Sequence, residues 1–172
     1  MIKSKKKKPT QLVGLKFFNV YGPHEYHKGH MQSVIYKIYN RIINNKEVEL
    51  FKSHKKEYDN GEQVRDFIYI KDVVSIILWF INNKNINGLF NVGSGKSRSF
   101  NSLASSVFKF SNKEKKINYI NTPLLIRKKY QYFTQANMKK IYNAGYTKKF
   151  FSLEEGIEDY VTKTLMQKDS YL

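Results

Sequence analysis

A strand-like run, Leu12-Val13-Gly14-Leu15-Lys16-Phe17-Phe18, stops at Gly22-Pro23, and a helical pattern begins after Gly29 and His30. This strand, turn, loop and helix constrain the chain more than any other stretch. Proline cannot continue a hydrogen-bonded ladder, and glycine permits a sharp turn. The loop holds His24, Glu25, His27 and Lys28 within five residues. α/β folds place ligands at such titratable loops between a strand end and a helix start. A plain surface loop is the alternative on composition alone.

The remaining pattern alternates short strands with helices. Met31, Val34, Ile35, Ile38, Ile42 and Ile43 predict an amphipathic helix over 31–45, ended by Asn44-Asn45. Val48–Phe51 and Val64–Ile70 read as strands, with Asp59-Asn60-Gly61 as a turn between them. Asp72 is the expected N-cap of a helix over Val73–Ile81. That helix is apolar almost all round, so it must be covered on more than one side. Gly88–Gly93 is a strand entering a glycine turn, and Ser99 caps a helix carrying Phe100, Leu103, Ala104, Val107 and Phe108. Ile117–Ile120 is a further strand, and Thr134–Ala144 reads as a short helix closed by Gly145. Ser152-Leu153-Glu154-Glu155 is a capping box opening a last helix that buries Leu153, Ile157, Tyr160, Val161 and Leu165.

Length and composition exclude several classes. One domain with a sizeable core fits 172 residues, 41% of them apolar. No run reaches the ~18 apolar residues of a membrane span. Met1-Ile2 leads into charge without the apolar segment of a signal peptide. Cysteine is absent, which rules out disulfides and thiolate zinc sites and agrees with a cytoplasmic protein; no metal site is expected. The net charge of +17 raises nucleic acid, membrane surface or an anionic substrate as partners. Lys3 and Lys5 to Lys8 are densest, and a solvated terminus accounts for them. No zinc-finger spacing or aromatic RNA-binding signature accompanies the charge, so nucleic acid is the weaker reading. Gly93-Ser94-Gly95-Lys96-Ser97 suggests a phosphate loop, but Phe90 stands where that motif needs glycine. A structural glycine turn is the better reading.

Phe18-Asn19-Val20-Tyr21-Gly22-Pro23, followed by Glu25-Tyr26-His27-Lys28-Gly29, resembles the corresponding loop of extended short-chain dehydrogenase/reductase enzymes acting on sugar nucleotides. The second motif is the narrower one and is most similar to that of the ADP-glyceromanno-heptose 6-epimerases. The likeness runs from about Leu12 to Tyr160. It implies an α/β fold: the C-terminal half of an extended Rossmann-type fold with its small substrate-binding region. Residues 12–168 would form that part, after a basic segment, 1–11, and before a tail, 169–172.

The resemblance also implies site residues. Lys28 matches a catalytic acid/base that also touches the cofactor. An exposed lysine is the ordinary alternative, since acid/base work needs burial or nearby positive charge to lower its pKa. Asn19 matches a substrate-contacting asparagine, and Val20 a position beside the nicotinamide. Phe51, Lys52, Ser53 and His54 match the segment holding the substrate nucleotide; Phe51 either packs on a base or belongs to the core. Arg65 matches a diphosphate-binding arginine, a task suited to its fork of donors, with a local pair to Asp66 as the alternative. Tyr130 matches a substrate-contacting tyrosine. His30 stands where the family has serine, and Lys37 where it has histidine.

The implied reaction is inversion at C6 of the heptose in ADP-heptose through transient NADP-dependent oxidation. The 172 residues hold neither a Gly-x-x-Gly-x-x-Gly dinucleotide fingerprint nor a suitable Tyr-x-x-x-Lys pair. The chain alone is therefore expected to be inactive, with the N-terminal half supplied separately and a homo-oligomer for the complete enzyme. Its sheet should be mostly parallel, short of partners, with an exposed apolar edge. Another nucleotide-sugar epimerase or dehydratase, or a basic nucleic-acid-binding remnant, are the competing readings.

Overall fold

The computed structural model describes residues 9–167. The lysine cluster at 3–8, most of the basic segment and the tail at 169–172 lie outside them. Strand β1 (Val13–Phe17) is followed after Phe18 by β2 (Asn19–Tyr21), and after Ser33 comes helix α1 (Val34–Ile43). Then follow β3 (Val48–Phe51), β4 (Val64–Tyr69), α2 (Ile70–Asn82), β5 (Gly88–Val92), β6 (Ser97–Ser99) and α3 (Phe100–Phe110). The chain continues through β7 (Ile117–Ile120), α4 (Leu124–Arg127), α5 (Lys139–Asn143) and α6 (Leu153–Tyr160), which runs into a π turn at Val161–Leu165.

β1 pairs in parallel with β5, from Val13 opposite Gly88 to Phe17 opposite Val92. At Phe18 the chain changes partner. The Phe18 amide still donates to Val92 O, but Asn19 lies opposite Phe67 in a parallel pairing of β2 with β4. β6 adds to β4 in antiparallel fashion, and β3 pairs in parallel with β7. The fold is Rossmann-like α/β, as expected.

β4 separates two cores because successive side chains of a strand face opposite ways. Phe67 and Tyr69 join α1, α3 and α6 in one cluster around Ile35, Leu103, Val107, Ile157 and Tyr160. Ile68 faces the other, with Val73, Ile76 and Phe80 of α2 and with Phe90, Val92 and Ile141. Asp66 shares that second face and is fully buried. Its carboxylate accepts from the amides of Ser94, Gly95 and Ala136 and from Ser94 Oγ. These donors account for the Gly93–Ser97 turn: a carboxylate already fills the nest where a phosphate would sit. Gly93 is required there, since a Cβ would come within 2.5 Å of Ala136 Cβ.

Several boundaries differ from the sequence reading. Asp72 does not cap α2; Tyr69 does, and Asp72 lies in the first turn, where its carboxylate accepts from Phe151 N. α1 is shorter than expected and is capped by Ser33, with Met31 exposed in a 3-10 segment, Tyr26–Met31. Helix at Thr134–Ala144 shrinks to α5, because residues 133–136 run beside β4, where Thr134 N donates to Val64 O and Ala136 N donates to the Asp66 carboxylate. The capping box at Ser152 and Glu155 is present as read. The apolar wrapping of α2 is only half covered: Val74, Leu78 and Ile81 are exposed, as are Leu12, Phe17 and Leu89 beside the β1–β5 pair. Among the described residues β1 and β5 pair only with each other.

Burial pushes the Asp72 carboxyl up to about 6, against the hydrogen bond from Phe151 N. A raised carboxyl favours the folded state below its unfolded pKa and loses that contribution as pH rises through the folded value. Stability is therefore expected to fall between about pH 4 and 6 by roughly 2–3 kcal/mol through this group. Urea titrations of Asp72→Asn should show that decline removed; an unchanged slope would remove Asp72 as its source. Sedimentation of the isolated chain should show self-association through the uncovered apolar face, and a clean monomer would count against that.

Candidate functional site

Arg65 is the centre of the candidate site. It faces opposite to Asp66 on β4, so no local pair forms between them; its Nη1 donates to Val64 O. The guanidinium carbon lies 5.4 Å from the Tyr130 ring centre and 5.7 Å from that of Phe100. Burial lowers the Arg65 pKa and raises that of Tyr130, each partly offset by the other. Among the described residues no carboxylate forms an ion pair with Arg65. A half-buried cation on aromatic faces suits an anionic group carried by a planar ligand.

The residues matched to a nucleotide-holding segment converge on the same place. The Phe51 and Tyr130 rings meet edge to face at 5.8 Å, and His54 approaches Tyr130 at 6.2 Å. Phe51 is half-buried at the end of β3 and belongs to neither core cluster. Lys52 is exposed; its amide continues the β3–β7 ladder. Ser53 Oγ donates to Lys55 O. Tyr132, which sequence reasoning passed over, organises this loop. Its buried hydroxyl lies 2.8 Å from His54 N, 2.9 Å from His54 Nδ1 and 3.3 Å from Ser53 Oγ. No local signal marks it, because its hydroxyl meets a partner 78 positions away.

Arg65 also joins this cluster to β2. A cavity of about 300 Å³ is lined by Asn19, Val20, Gln32, Ser33, Arg65 and Phe100, among others. The Asn19 and Val20 expectations thus fall within reach of Arg65. Lys28, His30 and Lys37 lie on the exposed side of the loop and α1. Lys37 Nζ donates to His30 O at 2.5 Å. Behind them Glu25 is buried, although sequence reasoning gave it no role beyond its place in a titratable loop.

Comparisons with known proteins bear on the family and the fold. The model of the NAD dependent epimerase/dehydratase family matches residues 2–93. A Fusobacterium nucleatum protein named ADP-L-glycero-D-manno-heptose-6-epimerase is 45% identical over 97% of this chain and 52% of its own length. A Nitratidesulfovibrio vulgaris protein of the same name is 47% identical over 94% of this chain and 50% of its own length. The chain therefore spans about half the length of the curated relatives it matches. The Helicobacter pylori crystal structure of that name superimposes with a TM-score of 0.71 at 33% identity, covering 89% of this chain and 44% of that one. A Thermotoga maritima UDP-glucose 4-epimerase with UDP-glucose gives 0.68 at 28% identity, over 89% and 46% respectively.

Proposed function

The chain belongs to the NAD dependent epimerase/dehydratase family, and from that membership we propose that it forms the sugar-nucleotide-binding part of an ADP-heptose 6-epimerase. The observation that carries this reading is the Arg65 guanidinium, set against Tyr130 and Phe100 with no carboxylate partner among the described residues. A diphosphate would supply the missing negative charge, with two oxygens on one fork of donors. Phe51, Tyr130 and the Ser53–His54 turn would receive the base and ribose beyond it. Asn19 and Val20, across the cavity from Arg65, would border the sugar. Lys28 and His30, on the exposed side of the loop that leaves β2, would border the reacting end of the sugar, with Lys28 as acid/base group. The names of the relatives favour ADP-heptose over other nucleotide sugars.

The family name implies a nicotinamide dinucleotide, and NADP is our proposal for it. The described residues do not build a site for its pyrophosphate. That group needs free amides at a glycine-rich turn, and the amides of Ser94 and Gly95 are held by Asp66. Val20 and Lys28 would border the dinucleotide, while its pyrophosphate would be held by residues outside this chain's glycine turn. The chain's own part is to bind and orient the sugar nucleotide and to place Lys28.

Arg65→Ala should weaken ADP-sugar binding by roughly 2–5 kcal/mol if the arginine is a desolvated diphosphate partner. Calorimetric titration of the epimerase reconstituted with the dinucleotide-binding half would measure this. Equal affinity in variant and parent would remove Arg65 from the site.

A further inference from the structure

We propose that Glu25 is a positioning residue that holds the loop carrying Lys28, an inference that rests on the epimerase reading above. Glu25 is only 3% exposed, while His27, Lys28, Gly29 and His30 around it face solvent. Its Oε2 accepts from Ser33 N at 2.5 Å, and its Oε1 accepts from Ser33 Oγ at 2.6 Å and from Tyr160 OH at 3.0 Å. Its own carbonyl accepts from Lys28 N at 3.0 Å. One residue thereby ties the Lys28 backbone to the start of α1 and, across 135 positions, to the fully buried Tyr160 of α6.

Capping does not explain this arrangement. Ser33 Oγ already accepts from Tyr36 N and caps α1 by itself. A buried carboxylate costs desolvation that an apolar side chain would avoid, and only its set of donors offsets that. What the carboxylate adds is direction: its two oxygens can meet Ser33 and Tyr160 together in one orientation of the loop. The same segment is latched again by Gln32, whose Nε2 donates to Tyr26 O at 2.8 Å and whose amide donates to Gly29 O. Entry to the loop is also fixed. Gly22, at φ 145°, leaves no room for a Cβ, which would fall 2.3 Å from Ile70 Cγ2. The loop leaves β2, where Asn19 and Val20 line the cavity, so its orientation sets where Lys28 stands relative to a bound sugar. Small misplacements of such a group cost rate far more than binding.

Two readouts test the proposal. In amide hydrogen exchange on the purified chain, Glu25→Ala should accelerate residues 26–33 by roughly tenfold or more, with β4 and α3 within about twofold of the parent. Glu25→Gln, which keeps an acceptor for Ser33 N, should recover most of the protection. Tyr160→Phe removes one donor and leaves the carboxylate, and should give a smaller acceleration in the same residues. Equal acceleration throughout the chain, or none in 26–33, would overturn the clamp. In the reconstituted epimerase with ADP-heptose, Glu25→Ala should lower kcat by roughly tenfold or more while KM changes less than about threefold, with recovery in Glu25→Gln. A loosened loop with unchanged kcat would overturn the positioning role. If the parent mixture itself does not turn over, the epimerase reading fails, and the exchange result still decides whether Glu25 clamps the loop.

Discussion

The hydrogen bonds to Asp66 are the constraint on which the rest of the structure depends. One buried carboxylate gathers the turn after β5 and the extended segment before α5 onto β4. The strand cannot then rotate or slip, because a one-residue slip would reverse every side chain on it. With Asp66 fixed inward, Arg65 and Phe67 must face the other way. Phe67 enters the core shared by α1, α3 and α6, and Arg65 reaches Tyr130 and Phe100 at its margin. The segment held by Ala136 N leads back through Thr134 to Tyr132 and Tyr130, so the same interaction that orients Arg65 also delivers its aromatic neighbours. The structural role of Asp66 and the ligand-facing role proposed for Arg65 thus fall on consecutive residues of a single strand.

A second carboxylate, Asp159, works in the same manner farther along. Burial opposes its charge, but Lys163, Lys71 and Tyr69 together hold its pKa down to about 2. Tyr69 thereby secures the end of β4 to α6, the helix that also presents Tyr160 to Glu25. The loop with Lys28 and the strand with Arg65 are referred to the same helix.

Much of the architecture is legible in the sequence because the relevant signals are local. The β-rich runs, the Ser99 and Ser152 caps and the period of α3 each follow from neighbouring residues, and each forms where expected. The misplaced boundaries come from tertiary competition. Asp72 is a good cap by type, yet Phe151, 79 positions away, takes its carboxylate. Residues 134–136 have acceptable helix formers, yet β4 and the Asp66 carboxylate hold this segment out of the helix. For the candidate site, the family resemblance pointed to Arg65, Phe51, His54 and Tyr130, and the fold brings these four side chains near one another. Tyr132 and Glu25 were missed because nothing in their local sequence reveals that a hydroxyl or a carboxylate will be buried against distant donors and acceptors.

In the proposed division of labour these residues would bind and orient a sugar nucleotide, while the pyrophosphate of the dinucleotide would be held by residues outside this chain's glycine turn. The most direct test is ADP-heptose epimerisation by the purified 172-residue chain with NADP supplied. No turnover above background is predicted for the chain alone, with activity appearing when a polypeptide bearing the glycine fingerprint and the Tyr-x-x-x-Lys helix is added. Robust turnover by the chain without that partner would contradict the claim.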